Sequence, residues 1–333
     1  MTDAAVAPRR WWVRTRSALV ALAIVAAAAT AGAFAVGRLA GGQAHALLSP
    51  WTFQYWLALL VAAVALAALR ARRSALVVAA FAVWPSTLVV PTLVRTAPAP
   101  TAHGFPLRVV SANVLVWQTP SREAINWFLE SDPDLLAVLE CSHAWSKALA
   151  PVHERLPYVV ELPTADPRGT ALLSRYPLRD TRVTLAPTGY LPYIDATVDT
   201  PAGPVRVTIV HPLAPMHAGH TEARDAEIAW HAERLATCAI PLIVAGDFNE
   251  SPDGRAFAGF VETSGLRPAR EGFGRTPTWP SSNGELLVPT FLQMAIDHCF
   301  VSKHFDVRHF DRGPDIGSDH RPILADLVLR RSP

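Results

Sequence analysis

The spacing of apolar positions changes character near residue 100. Before it, the apolar runs have no period. Residues 18–37, 52–69 and 75–94 contain no charged side chain. Each is close to the ~20 residues that cross a bilayer as a helix, and ionisable groups are costly inside lipid. Three transmembrane helices are therefore predicted. Trp51, Tyr55, Trp56 and Trp84 suit the interfacial belts. Pro85 and Pro91 predict a kink or an early end for the third helix. The first run could instead be a cleaved leader, because arginines precede it and Ala44-His45-Ala46 follows. Its length exceeds the ~7–15 residues of a leader's apolar core, and two more runs follow, which favours retention.

Beyond the change, short apolar runs and helical periods alternate. Strands are predicted over 107–112, 134–139, 158–162, 170–174, 242–245, 296–301 and 323–329, and a hairpin over 193–199 and 205–210. Helices are predicted from Ser121 to Asp132, through Leu149, over 221–238, and around Phe257, Phe260 and Val261. Strands outnumber helices and hairpins alternate with single helices. That order predicts two mixed sheets packed together with helices outside. Residues 96–105, rich in Ala and Pro, read as a short stiff linker between the anchor (1–95) and the globular part (106–331).

Charge sharpens the division. Residues 1–100 hold 9 Arg and 1 Asp, a net of +8, whereas residues 101–333 hold 21 Lys and Arg against 27 Asp and Glu, a net of −6. The acidic globular part argues against a non-specific grip on nucleic acid. Arg9, Arg10, Arg14 and Arg16 flank the first span, and Arg70, Arg72 and Arg73 separate the second from the third. Three crossings put both groups on one side. The positive-inside rule makes that side the cytoplasm, so the globular part is expected outside it, on a multi-pass cell-membrane protein. Cys141, Cys238 and Cys299 show neither zinc spacing nor a disulfide framework and read as buried free thiols.

The candidate chemistry lies at strand ends. Residues 242–245 form an apolar strand that runs straight into Gly246-Asp247-Phe248-Asn249. Asn113, Glu140, His211 and Asp297 likewise end or begin apolar runs, and Asp319 and His320 precede the last one. Each alone could be a turn residue or a satisfied polar group. Together, converging carboxylates would repel unless a hard cation with oxygen ligands relieved them, and histidines beside it could carry protons or charge. His298 falls on the opposite strand face from Asp297 and reads as structural. His211, His217 and His220 match no closed zinc spacing, and the latter two read as solvated loop residues. Trp145, Trp230 and Trp279 read as packing residues.

Ser111-Ala112-Asn113-Val114, Leu139-Glu140, Gly246-Asp247-Phe248-Asn249, Ile296-Asp297-His298 and Ser318-Asp319-His320-Arg321-Pro322 stand in the order seen in the endonuclease/exonuclease/phosphatase superfamily. Gly169 to Pro177 resembles its recurring Gly-x-Ala-x-Leu-Ser-Arg-x-Pro stretch. The resemblance spans residues 107–329, and the preceding spans are similar to bacterial membrane-anchored members. It implies a deoxyribonuclease I-like four-layer α/β/β/α sandwich after three transmembrane helices, and phosphoester hydrolysis dependent on Mg²⁺ or Mn²⁺. By the same resemblance Glu140 is the main metal ligand, with Asn113 close by and Asp319 in support. Asp247 positions or deprotonates the attacking water, and Asn249 steadies it and the phosphate. His320 contacts the phosphate, oriented by Asp297, and His211 stabilises developing charge.

The expected activity is that of a membrane-anchored nuclease or lipid or nucleotide phosphodiesterase. Its expected partners are the bilayer and a phosphoester substrate, and no protein partner is expected. The alternatives are a non-catalytic module that binds a phosphate ligand, or a small transporter. Spans without ionisable residues offer a transporter no pathway.

Overall fold

A computed structural model describes residues 7–94, 96, 104–187, 189–282 and 286–330. The chain divides into two compact units, Met1–Leu93 and Val94–Pro333.

The first unit is helical: α1 (Ala7–Leu39), α2 (Gly42–Leu48), a 3-10 turn (Ser49–Trp51), α3 (Thr52–Ala68) and α4 (Arg72–Leu93). Trp11–Leu39, Gly42–Ala68 and Arg72–Leu93 are each long and apolar enough to cross a membrane. Leu22, Val25, Val61, Val64, Leu76 and Phe81 point outward, as side chains facing lipid do. Two local expectations change. The second candidate span begins at Gly42, ahead of the expected residue 52, because α2 precedes α3 within it. The third ends neither at Pro85 nor at Pro91, since α4 runs through both to Leu93. The hydroxyls of Ser86, Thr87 and Thr92 bond the carbonyls of Ala82, Trp84 and Val89 in the preceding turn. Arg16 Nε donates to the carbonyl of Leu69 at 2.7 Å, so the arginine-rich start of α1 lies beside the turn bearing Arg70 and Arg72.

The second unit runs β1 (Gly104–Asn113), α5 (Arg122–Glu130), β2 (Leu135–Leu139), α6 (His143–Ala148), α7 (Ala150–His153), β3 (Tyr158–Leu162), β4 (Thr170–Ser174), β5 (Leu178–Leu185), β6 (Pro192–Thr200), β7 (Gly203–Val210), α8 (Ala218–Ala236), β8 (Leu242–Asp247), α9 (Arg255–Ser264), β9 (Arg267–Pro268), β10 (Asp297–Val301), β11 (Phe305–Arg312) and β12 (Ile323–Arg330). β1 starts at Gly104, so of the linker expected over 96–105 only Thr96 and the first two strand residues are described. Two six-stranded mixed sheets form, in the orders β11-β12-β1-β2-β4-β3 and β5-β6-β7-β8-β10-β9.

Period-two alternation assigns the layers. Leu107, Val109, Leu135, Ala137, Val205, Val207, Ile243, Ala245, Cys299 and Val301 meet between the sheets. Val110, Ala112, Leu136 and Val138 point out beneath α5, α6 and α7, with Phe128 and Trp145. Val210, Val244 and Phe300 point out beneath α8 and α9, with Ile228, Leu235 and Phe260. The second unit is thus an α/β/β/α sandwich, as the alternation of hairpins and single helices predicted.

β5 and β11 were not expected. β5 is an edge strand with mostly exposed, charged positions, which hides its alternation. A bulge between Val307 and His309 breaks the parity of β11, so Phe305, Val307 and Phe310 do not read as a strand face.

Candidate active site

The same alternation delivers the polar groups. On β1 the inner positions run Leu107, Val109, Ser111 and then Asn113. On β8 they run Ile243, Ala245 and then Asp247. His211 continues the inner parity of Val205, Val207 and Ile209, and Asp297 shares that of Cys299 and Val301. Register brings these ends to one level. β1 and β2 are parallel, as are β7 and β8. β10 runs antiparallel to β8, so its first residue, Asp297, pairs directly with the last residue of β8, Asp247.

Glu140 is an exception to parity. It follows Leu139, an inner position, and would be sent outward toward the helices. Its φ of 56° places it in the left-handed region and turns it back. Its Oε1 then accepts from Asn113 Nδ2 at 3.0 Å, and its Oε2 from the Val116 N–H at 3.1 Å. Asn249, with φ 49°, is turned the same way. Gly246 makes the approach of β8 to β7 possible, because a Cβ there would lie 1.9 Å from the Val210 carbonyl oxygen.

The contacts form one chain. Asn113 Nδ2 also donates to Asp247 Oδ2 at 3.1 Å. His211 Nε2 and His320 Nε2 each lie 3.6 Å from that same oxygen. His211 Nε2 is 3.9 Å from Glu140 Oε1. His320 Nδ1 bonds Asp297 Oδ2 at 3.0 Å. Asn249 donates its N–H to Asp247 Oδ1 at 2.8 Å and its Nδ2 to the Pro212 carbonyl at 3.0 Å. Asp319 Oδ2 accepts from Trp279 Nε1 at 3.0 Å. Ser318 Oγ ties the Asp319–His320 loop to the Asn113 carbonyl at 2.7 Å. The structure therefore gathers Asn113, Glu140, His211, Asp247, Asn249, Asp297 and His320 directly, and Asp319 beside them through Trp279 and Ser318.

Electrostatics follow from burial. Burial, with repulsion from Asp297, raises the Asp247 carboxyl against the attraction of His320 and His211. Burial alone would make His320 less basic, but Asp297, Asp247 and Asp319 overcome it and raise it well above an ordinary histidine. Asp297 thus favours the protonated form of His320.

Two oxygen groups could hold a divalent ion. One is Glu140 Oε1 with Asp247 Oδ2, which share the Asn113 amide and face His211 Nε2 at 3.9 and 3.6 Å. The other is Asp247, Asp297 and His320, whose ligand atoms lie within 4.8 Å of one another. In the second, His320 Nδ1 is already engaged by Asp297. Asp297 Oδ1 and Asp319 Oδ1 are buried without a hydrogen-bond partner. A surplus of buried carboxylate oxygen suits a hard cation. Asn113 presents its amide N–H groups to both carboxylates, while its Oδ1 accepts from the Leu115 N–H at 3.1 Å.

The residues set aside fare differently. His298 packs on Phe257 and bonds the Glu250 carbonyl at 2.8 Å, and burial pushes it down to about 3, so it is a neutral core histidine. His217 and His220 stack on each other, but His220 lies in the first turn of α8, not in a loop. Trp145 is core. Trp279 is more than packing, since it holds Asp319 and its ring lies 6.4 Å from that of His320. The reading of Trp279 as packing lacked its tie to Asp319, because nothing local distinguishes one Trp-Pro step from another.

Fold and site together define a two-sheet sandwich with an acid–imidazole centre at its strand ends. A sequence profile described as the Endonuclease/Exonuclease/phosphatase family matches residues 110–320, and the chain belongs to that family. Members of the family are generally phosphoester hydrolases and typically use divalent metal ions. Among solved structures, D. rerio TDP2 complexed with a single-strand DNA product is similar, with 17% identity over 67% of this chain and 98% of that one and a TM-score of 0.56. The catalytic domain of human Nocturnin, solved with a sulfate anion, is 22% identical over 68% of this chain and 96% of that one, with a TM-score of 0.52. An endonuclease/exonuclease/phosphatase from Beutenbergia cavernae is 18% identical over 68% and 72%, with a TM-score of 0.51. No protein of curated function matches the chain.

Proposed function

We propose that this protein is a membrane-anchored, metal-dependent phosphoesterase that hydrolyses its substrate by in-line attack of water. The observation that carries the reading is the crowding around one atom. Asp247 Oδ2 has an amide at 3.1 Å and two imidazoles at 3.6 Å, with a second carboxylate across the amide. Such a centre can orient water, neutralise phosphoryl oxygens and hold a cation, which is most of what phosphoryl transfer needs.

Glu140 would hold Mg²⁺ or Mn²⁺, with Asn113 and Asp319 in support, and that ion would supply charge neutralisation at the phosphoryl group. Asp247 takes up or directs the proton of the attacking water. Asn249 steadies the water and the phosphate. His320, kept protonated by Asp297, contacts a phosphoryl oxygen, and His211 offsets the charge that develops there. The substrate class we favour is a nucleic acid, nucleotide or lipid-headgroup phosphoester. The anchor is read as three spans with the N-terminus in the cytoplasm and the catalytic unit outside. The single-strand DNA product in D. rerio TDP2 supports phosphoester chemistry on this fold.

The test uses the full chain in detergent with bis(p-nitrophenyl) phosphate and Mg²⁺. Turnover should vanish with EDTA and with Asp247→Ala or His320→Ala. Turnover indifferent to all three would sink the mechanism. Labelling of single introduced cysteines from either side of spheroplasts would test the orientation. Reagent access to residue 190 only from the cytoplasm would reverse it.

A further inference from the structure

Behind the site, one buried cation grips the loop that carries it. Arg224, on α8, is 1% exposed. Its Nη1 donates to the Asn249 carbonyl at 2.7 Å, and its Nη2 lies 2.8 Å from Glu250 Oε2. Nε and Nη2 also reach Asp225 Oδ1 at 2.9 and 2.6 Å. These contacts meet the chain where it most needs holding. β8 ends at Asp247, so the Asn249 carbonyl has no ladder partner. Asn249 itself sits at φ 49°, in the left-handed region that asparagine adopts more readily than most residues but in which it is not confined.

That backbone setting determines both contacts Asn249 makes in the site, its N–H to Asp247 and its amide to Pro212. Glu250 is held as firmly. Its Oε1 accepts from the Ser251 N–H at 2.8 Å, and its carbonyl takes His298 Nε2 at 2.8 Å. The next turn leaves room for it, because a Cβ at Gly254 would lie 1.8 Å from Glu250 Oε1.

We propose that Arg224 is a positioning residue: its guanidinium fork locks the Asn249 peptide in the left-handed region and so aims Asn249 and Asp247 at the reacting phosphorus. Arginine is the residue suited to this, because a planar fork satisfies a carbonyl and a carboxylate at once, and a lysine serves only one well. The kinetic half of the proposal rests on the phosphoesterase reading above, and the conformational half does not.

The test compares the full chain, in detergent, with Arg224→Lys and with the pair Arg224→Met and Glu250→Gln. The pair removes both charges together, because Arg224→Met alone would leave Glu250 as an uncompensated buried acid. Two quantities are read: kcat and KM on bis(p-nitrophenyl) phosphate with Mg²⁺, and amide exchange over residues 248–251. The expected result is a kcat lower by about 10- to 100-fold with KM within about threefold. Exchange at 248–251 should quicken by about tenfold while β6 keeps its protection. Introduced on an Asn249→Ala background, Arg224→Lys should cost less than about threefold more, because both act through one residue.

Unchanged exchange at 248–251 would overturn the proposal. So would full additivity with Asn249→Ala, or protection lost evenly across the domain, which marks a plain core ion pair. If the wild-type chain turns over no phosphoester, the proposed function fails, and the exchange result alone decides the role of Arg224.

Discussion

Two buried polar clusters in the second unit invite comparison. One is the strand-end site. The other lies beneath α8 on the outer face of the second sheet, around Asp195. There, Asp195 Oδ1 accepts from Thr208 Oγ1 at 2.7 Å and Arg234 Nη2 at 3.1 Å. Its Oδ2 faces Arg234 Nη1 at 2.9 Å and Arg206 Nη2 at 3.0 Å. Burial would push this carboxyl up, but the bonds from Thr208 and Arg234, with Arg206 nearby, hold it below its ordinary range. Both of its oxygens are matched. In the site, carboxylates outnumber cationic partners, and Asp297 Oδ1 has none. Matched buried charge specifies packing. Surplus buried charge at strand ends is poised for a ligand, and folding bears its cost.

The sharpest way to break this contrast is Asp247→Asn. It should cut kcat by about a thousandfold, as loss of a general base or water-directing group does. It should also stabilise the fold by about 1 kcal/mol, because one of several repelling carboxylates is neutralised. A loss of stability on chemical denaturation would show that the site's charges are matched after all.

Asp195→Ala should do the reverse. Two arginines are left without their shared partner, so stability should fall by about 3–5 kcal/mol. kcat per folded molecule should be unchanged.

His211→Gln should lower kcat by about a hundredfold, in the range of losing one charge-stabilising donor. Stability should move little. A KM effect alone would move His211 from charge stabilisation to substrate binding.

The smallest effect concerns Glu227, also beneath α8, which burial raises from 4.5 to about 7. The folded state keeps this proton where the unfolded state has released it. Stability should therefore fall as pH rises from about 4.5 to about 7, by on the order of 3 kcal/mol. Its neighbour His231 is lowered to about 3, mainly by burial, and contributes the opposite slope between about 3 and 6.5. Comparing the wild type with Glu227→Gln at each pH cancels the histidine. A flat difference across that window would mean Glu227 is ionised in the folded protein.

Much of the site could be read from the sequence, because strand ends are legible. An unbroken apolar run followed at once by Asp247 or Glu140 marks a rigid strand delivering a polar group. The paired sheets could be read for the same reason. Arg224 could not, although α8 carries a signal in hindsight. Arg224, Glu227, Ile228, His231 and Leu235 recur at helical spacing and are all buried. Charged residues mixed into an apolar stripe suggest a buried network. The partners of Arg224, Asn249 and Glu250, lie 25 and more residues later, and only the packing of α8 on the second sheet brings them together. β11 was lost to its bulge and β5 to its exposed edge. Both are cases where tertiary context, rather than local pattern, sets the strand.

The placement of β1 carries a consequence for biosynthesis. This opening strand lies between β2 and the final strand β12, whose register with it runs from Gly104↔Arg330 to Ser111↔Ile323. A ribosome delivers those two strands some 200 residues apart. Asn113 and His320 therefore meet only when the end of the domain has been synthesised. A nascent or truncated chain that stops before Ile323 lacks the partner strand of β1, and with it an assembled strand-end centre.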